Sequence, residues 1–506
     1  MKYGEEPSGS IFRGIEELPF TRSHLKVWLT AGMGFFTDAY DLFVIGIIIT
    51  IFNIYRLPGF YDPGLEGLLA SSAIFTAIVG QVVFGRIADI AGRKFIYGIE
   101  AMILSTGALL SAFSPNIYWL LAFRSILGVG IGGDYPLSAT IASEYSGYRN
   151  RGKLVSLVFA NQGLGTLAAV AVALLSVLLF PPDLAWRVMA GVGAIPALSV
   201  IYLRRKLPET PRYAALVRSD YETARKAAGV LGASLGGEGV VARRIGIGKF
   251  IRRYWVTLVA AAVPWFLMDV AFYGTGIYSS SIVSGIVGSS GSIFTTILEA
   301  GMPFMVGVPG YFTAVALIDR VGRKLLQIGG FLGMAAIYSY MGYLLAVTGG
   351  VITRAIPAFL GLGIYSLSFF MIDAGPNTTT FVIPSEVFPV RYRTTGHGIS
   401  AAMGKLGAGI STLFLVPYLR SAYGLSTTLY VLAAISIAGA AITLLLREPA
   451  RMTLEEASGE ELVPAMIQVE RGLDGSATLI NVGPFPDPGC PTRTGGGIGS
   501  GGCSTR

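Results

Sequence analysis

Residues 127–145 read Leu-Gly-Val-Gly-Ile-Gly-Gly-Asp-Tyr-Pro-Leu-Ser-Ala-Thr-Ile-Ala-Ser-Glu-Tyr. They close an apolar segment that starts near Ile117, so most of the stretch is expected in lipid or against other helices. It nevertheless carries Asp134 and Tyr135 beside Gly128, Gly130, Gly132 and Gly133, with Pro136 following. A charged side chain at a bilayer centre costs about 2.5–3.5 kcal/mol on insertion scales. A chain that keeps Asp134 there must supply a polar cavity or hold the group protonated. The glycines let a neighbouring helix approach closely, and Pro136 frees a backbone carbonyl toward such a cavity. The alternative is a tight helix crossing whose Asp pairs with a nearby Arg.

The surrounding composition belongs to a membrane. Of 506 residues, 53% are hydrophobic and 13% charged, against about 25% charged in a soluble domain. Mean hydropathy is +0.62. Apolar runs of the length needed to cross a hydrocarbon core recur at approximately 26–52, 66–88, 95–113, 117–143, 154–180 and 186–204. Six more follow at 254–284, 293–318, 324–347, 355–384, 397–419 and 425–446. The first run is too long and too polar inside for a cleaved signal peptide. The expected fold is an all-α polytopic membrane protein with twelve transmembrane helices.

The net charge of +8 is not a nucleic-acid signal, because Lys and Arg concentrate in alternate loops. Arg86, Arg93 and Lys94 follow the second span, and Arg149, Arg151 and Lys153 the fourth. Arg320, Arg323 and Lys324 follow the eighth, and Arg391 and Arg393 the tenth. By the positive-inside rule both termini and the long central loop are cytoplasmic. The expected organisation is a cytoplasmic segment 1–24, a six-helix bundle 25–204, and a cytoplasmic loop 205–252 with a surface helix over 210–230. A second six-helix bundle spans 253–449, and 450–506, Gly-rich at its end, is expected to be a disordered tail. Cys490 and Cys503 both lie in that tail, so neither a disulfide framework nor a paired metal site is implied.

An internal repeat supports two parallel halves. Asp89-Ile-Ala-Gly-Arg-Lys94 recurs as Asp319-Arg-Val-Gly-Arg-Lys324, and Glu144 followed by Arg149 and Arg151 recurs as Glu386 followed by Arg391 and Arg393. A weaker echo links Pro208-Glu209-Thr210-Pro211-Arg212 with Arg447-Glu448-Pro449. Such repeats go with a binding site at the midplane between them.

Several polar groups fall inside the spans. Asp38 and Asp41 are three apart and share a helix face; two carboxylates that close favour proton carriage, unless they form a hydrated interfacial pair. Trp265, Asp269 and Tyr273, at i, i+4 and i+8, form one stripe, either a cavity wall or core packing. Lys405 is a cation flanked by small residues, facing inward or snorkelling to the interface. Asn377, beside Gly375-Pro376, and Gln162 are neutral hydrogen-bonding groups, or helix–helix glue. Together these give one cation, amide and phenol donors and a carboxylate, the balance a tetrahedral oxyanion needs. Ionised Asp269 would repel the anion and protonated Asp269 could donate to it, so proton and anion binding would favour each other. No H-E-x-x-H, P-loop or Ser-His-Asp pattern points to an enzyme, and no cofactor or metal is called for.

The Asp-x-x-Gly-Arg-Lys loops, the paired Glu…Arg loops and the 6+6 layout resemble the major facilitator superfamily over about residues 25–450. The resemblance implies two six-helix bundles of the major facilitator fold. It also implies a gating latch on the cytoplasmic side built from Asp89, Arg93, Glu144, Arg151, Asp319, Arg323, Glu386 and Arg393. Five further motifs resemble one branch, the proton-coupled inorganic phosphate symporters (phosphate permeases). They are Gly-Phe-Phe-Thr-Asp-Ala-Tyr-Asp-Leu-Phe at 34–43, Gly-Gly-Asp-Tyr-Pro-Leu-Ser-Ala-Thr-Ile-Ala-Ser-Glu at 132–144, and Trp-Phe-Leu-Met-Asp-Val-Ala-Phe-Tyr-Gly at 265–274. Gly-Pro-Asn-Thr-Thr-Thr-Phe at 375–381 and the run at 391–408 complete the set.

That resemblance implies phosphate binding by Tyr135, Gln162, Trp265, Asp269, Tyr273, Asn377 and Lys405. It implies a proton route through Asp38, Asp41 and Asp134, shared with Asp269; Arg124 fits an Arg held against the Asp cluster, or a structural pairing. The implied activity is import of inorganic phosphate with protons, by alternating access, across the plasma membrane. A sugar or organic-anion symporter of the same fold, or a phosphate sensor without net flux, are the other readings; a sugar site would want more amides and less charge. Asp373 departs from the family, where Asn is more common, and adds an ionisable group two residues before Gly375. His397 reads as structural, and Glu299 has no assigned role.

Overall fold

Polar caps and glycines set the helix ends in the computed structural model, which describes residues 11–236, 239–288, 292–471 and 477–483. Helix α1 (Arg22–Tyr55) starts at Thr21, which exchanges hydrogen bonds with His24 in a capping box. It is followed by α2 (Glu66–Ala91), α3 (Ile99–Ala112) and α4 (Ile117–Glu144). The Asn116 side chain caps α4 by accepting from the backbone N–H groups of Tyr118 and Trp119, which satisfies otherwise orphaned donors. Next come α5 (Arg151–Leu179) and α6, in two pieces, Pro182–Val192 and Ala194–Lys206.

The second half repeats the plan with α7 (Ile247–Gly276), α8 (Ile293–Val321) and α9 (Arg323–Val347). Helix α10 runs over Ala358–Ala374, breaks at Gly375 and restarts as Pro376–Val382. Helix α11 (Arg393–Ile410) continues through a π-helical turn, Ser411–Leu415, into Val416–Thr443. The backbone turns at Gly424 (φ 80°, ψ 173°), and residues 425–443 form α12.

Among the described residues ten helices are long and apolar enough to cross a membrane, and one of them, Val390–Thr443, makes two passes around Gly424. Helix α4 is the twelfth span. Its glycines, Asp134 and Pro136 dilute its hydropathy, yet its 28 residues exceed the roughly 20 a bilayer requires. The glycines of the opening stretch do admit neighbours. A Cβ on Gly128 or Gly132 would lie 2.2 or 2.1 Å from a backbone carbonyl of α2, and one on Gly130 would lie 2.5 Å from a backbone nitrogen of α3.

The two halves meet where α2 packs on α11 and α5 on α8. At the first seam a Cβ on Gly85 would sit 2.7 Å from the Thr394 carbonyl, and one on Gly398 would sit 2.3 Å from that of Gln81. No side chain fits there, so the helices touch backbone to backbone.

On the face that carries the basic loops, charges clamp the halves. Glu144 accepts from Arg93 (3.1 Å) of its own half and Arg393 (2.8 Å) of the other. In the repeated position Glu386 accepts from Arg323 (2.7 Å) and, across the seam, from Arg151 (2.9 Å). Asp89 pairs with Arg93 at 3.2 Å and accepts from the backbone N–H and hydroxyl of Thr395 across the seam. Asp319 pairs with Arg323 at 3.0 Å and accepts from the backbone of Gly152 and Lys153. The weak echo is structural too. Glu209 receives the Arg93 N–H and Glu448 the Arg323 N–H, each just after a glycine of positive φ, Gly92 (101°) and Gly322 (96°).

Two expectations are corrected on this face. Residues 210–230 are not one surface helix but two short ones, Pro211–Leu216 and Tyr221–Leu231, divided at Ser219 (φ 57°) and capped anew by Asp220. Tyr213, Ala214, Ala215 and Leu216 are buried, which places the first helix in the packing and not on the surface. The chain from 450 is not disordered throughout. Thr453 caps the helix Leu454–Ser458, and strand β2 (Leu462–Pro464) pairs antiparallel with β1 (Val240–Ala242) of the central loop, Val241 opposite Val463. Charge holds this segment: Arg212 of the central loop joins Glu455 to Glu16 of the N-terminal helix Arg13–Glu16. A second antiparallel pair, β3 (Met466–Arg471) with β4 (Ala477–Gly483), follows. Residues 1–10 and 484–506, including both cysteines, lie outside the described residues.

Candidate functional site

The stripe on α7 does face one place. Small residues on α11 let it approach α7: a Cβ on Gly404 would strike the Trp265 ring at 2.5 Å, and one on Gly407 the Phe266 carbonyl at 2.3 Å. This brings Lys405 inward, buried, with Nζ 3.3 Å from Asp269 Oδ2 and 2.8 Å from the Tyr273 hydroxyl. Helix α4 of the other half contributes Tyr135, whose ring centroid lies 4.7 Å from Lys405 Nζ; the Tyr273 ring lies at 4.4 Å. Trp265 sits 6.2 Å from Tyr135, centroid to centroid. Five of the seven candidate binding residues are therefore one cluster at the junction of the halves, around a single cation.

Asn377 belongs to a neighbouring patch. The break of α10 at Gly375 turns its amide toward Tyr311 of α8 and Asp373, to which it donates at 2.8 Å each. Gln162 on α5 is buried, its Oε1 without a hydrogen-bond partner, next to Gly163, where an added Cβ would meet the Tyr311 ring at 2.8 Å. Tyr311 thus engages Asn377 and packs on α5 beside Gln162, a place the sequence reading missed because a tyrosine in an apolar span looks like packing.

The carboxylates of the first half separate. Neither oxygen of buried Asp38 takes a hydrogen bond, and the group feels Asp134, Arg204, Asp41 and Lys405 through their charges. Asp41, one turn on, presents its backbone carbonyl to Arg124 (3.0 Å) and its side chain to the glycine joint of α6 at Gly193. Asp134 realises the pairing alternative: its Oδ2 lies 2.9 Å from Arg204, which also binds Glu100 at 2.8 Å. Both partners were missed. Arg204 stands in Leu-Arg-Arg-Lys at a span end, indistinguishable in sequence from an interfacial basic cluster, yet it is fully buried.

Aromatic layers flank the cluster. On the basic-face side Phe35, Phe159 and Phe381 pack together, with Phe159 and Phe381 stacked at 4.4 Å and Phe35 4.9 Å from Tyr135. His397, its Nε2 bonded to the Phe381 carbonyl, stands edge-on to Trp265 and Phe381. On the opposite side Phe43 stacks on Tyr273 at 5.3 Å and meets Phe304 at 5.0 Å. Beyond it lies a narrow cleft of about 30 Å³, lined by α1, α5, α7 and α8. The charge clamp and first layer close the molecule on the basic face.

Comparison with known proteins agrees with this architecture. Residues 27–459 match the family model described as sugar (and other) transporter. The chain is 36% identical to the probable inorganic phosphate transporter 1-6 of Arabidopsis thaliana, over 90% of this chain and 97% of the relative. It is 34% identical to the repressible high-affinity phosphate permease of Neurospora crassa, over 88% of each. Among solved structures, the proton:xylose symporter XylE superposes with a TM-score of 0.72 at 19% identity, over 87% of this chain and 99% of that one, a likeness of fold. The chain belongs to the sugar (and other) transporter family of the major facilitator superfamily and groups there with the inorganic phosphate transporters.

Proposed function

We propose that this protein imports inorganic phosphate together with protons, by alternating access, across the plasma membrane with both termini cytoplasmic. The observation that carries the reading is the buried Lys405, held between Asp269 and Tyr273 beneath Tyr135 at the junction of the halves. A desolvated ammonium ringed by phenol and indole donors suits an anion rich in oxygen acceptors. The names of the relatives support phosphate as that anion.

In this account phosphate takes the place of Asp269 as the counter-charge of Lys405. Tyr135, Trp265, Tyr273, Gln162 and Asn377 donate to its oxygens. Protonation of Asp269 removes the repulsion between carboxylate and anion, so each ligand tightens the other. Asp38, with both oxygens unengaged, and Asp41 carry protons through the first half, while Arg204 holds Asp134 until a proton displaces it. The Glu144 and Glu386 clamps, with Asp89, Arg93, Arg151, Asp319, Arg323 and Arg393, stabilise the state closed on the basic face and release in the other state. Loops rich in Lys and Arg make that face cytoplasmic. Equilibrium binding of radiolabelled phosphate to purified protein tests the assignment: saturable binding lost in Lys405→Ala is expected. Absence of saturable binding to folded wild-type protein would overturn it.

A further inference from the structure

Burial of a carboxylate without a cation is costly, because desolvation is left uncompensated. Within the two bundles Asp89, Glu100, Asp134, Glu144, Asp269 and Glu386 each lie beside an arginine or lysine, at 2.7–3.3 Å. Asp373 on α10 is equally buried, 3% exposed, and has no such partner among the described residues. The titratable groups facing it are phenols, Tyr311 from α8 and Tyr338 from α9. The adjoining segment Pro376–Val382 offers an amide, hydroxyls and apolar groups. Among the cations of this half, Lys405 is engaged with Asp269 and Tyr273, Arg323 with Glu386, and Arg354 with the Thr348 carbonyl.

Geometry ties this group to the anion site. Asp373 Oδ1 accepts from Asn377 Nδ2 at 2.8 Å, and the same amide donates to the Tyr311 hydroxyl at 2.8 Å. Helix α8 presses on the carboxyl with glycines: a Cβ on Gly307 would lie 2.5 Å from Asp373 Oδ2. The Asn377 amide, a proposed phosphate donor, therefore has its orientation set by Asp373, and an anion bound there would sit one amide away from this carboxyl.

We propose that Asp373 is a proton-binding positioning residue of the anion site, admitting an oxyanion to Asn377 as the neutral acid and excluding it as the carboxylate. A proton from solution adds to a carboxylate oxygen of Asp373 when phosphate binds and leaves when phosphate leaves; no bond of the phosphate breaks. The inference rests on the phosphate reading given above and adds a proton site in the second half of the molecule.

The test uses purified full-length protein, wild type beside Asp373→Asn and Asp373→Ser, with thermal unfolding to verify folding. Phosphate affinity is measured against pH, proton uptake per phosphate with a pH-indicator dye, and the carboxylic-acid C=O stretch by infrared difference spectroscopy. The wild type is expected to take up about one proton more per phosphate than either variant. Its affinity should fall with rising pH by up to about tenfold per unit more steeply, and its acid C=O band should be lost in both variants. Unchanged proton uptake and pH slope in folded variants would overturn the proposal. If the wild type binds no phosphate, the phosphate reading fails; a pH titration of the acid C=O stretch then decides separately whether Asp373 takes up a proton, and a titration unaltered in both variants would overturn that.

Discussion

Lys405 and Asp269 sit 3.3 Å apart, the cation from α11 and the carboxylate from α7, neither exposed beyond 2%. Removing one member of a buried ion pair leaves an uncompensated charge and costs about 3–5 kcal/mol. Lys405→Ala should therefore lower the thermal unfolding midpoint, and adding Asp269→Asn should restore most of the loss. The double variant should still bind phosphate poorly. Loss of a charged hydrogen-bond donor, about 1.5–3 kcal/mol, weakens binding about ten- to hundredfold. Thermal unfolding and radioligand binding on the wild type, both single variants and the double variant separate the two effects.

Glu144 joins Arg93 of its own half to Arg393 of the other, and Glu386 joins Arg323 to Arg151. Glu144→Gln with Glu386→Gln should weaken the clamp and favour the state open on the basic face. A cysteine at Phe381, in a background with Cys490 and Cys503 replaced by serine, should then react faster with a membrane-impermeant thiol reagent added on that side. An unchanged labelling rate would remove these residues from gating.

The C-terminal segment should loosen with rising pH. Burial pushes the Glu460 carboxyl up, against the pull of Arg393, to about 7 from its usual 4.5, and the same group accepts from the Val390 N–H. Its acid form is thus favoured when docked. Docking is strongest at pH below the free value and weakens as pH rises through about 7. A nitroxide at Leu462 in β2 should gain mobility as pH rises from 4.5 to about 7, and Glu460→Gln should abolish that change.

Much of this was legible in the sequence because it is local or repeated. The stripe Trp265, Asp269, Tyr273 follows from helical spacing alone, and the Gly-Arg-Lys and Glu…Arg echoes give two parallel halves whose charged residues fall in mirrored positions. What could not be read was which buried charges meet. Asp134 and Arg204 lie 70 residues apart, and Glu100 and Arg204 104 apart; no periodicity links them. The docked segment after residue 450 was missed for a related reason. Its polar composition suggests solvent, whereas its order comes from strand pairing with Val240–Ala242 and from the Glu16–Arg212–Glu455 bridge.

Backbone strain offers a sharper check of the repeat. Gly92 has φ 101°, and a Cβ there would lie 2.3 Å from Glu209 Oε2. Gly92→Ala should destabilise by about 1–3 kcal/mol from conformation alone. Gly229→Ala, inside the helix Tyr221–Leu231 with nothing within 4 Å, should stabilise by about 0.5–1 kcal/mol. Thermal unfolding of the two variants should move in opposite directions.

The central claim is proton-coupled phosphate transport through the Lys405–Asp269 site. It is tested most directly by radiolabelled phosphate uptake into proteoliposomes under an imposed inward proton gradient, wild type beside Asp269→Asn. The account predicts uptake that requires the gradient and is lost in the variant. Uptake of equal size without a gradient would contradict the coupling, and no uptake by folded wild-type protein would contradict phosphate as the transported anion.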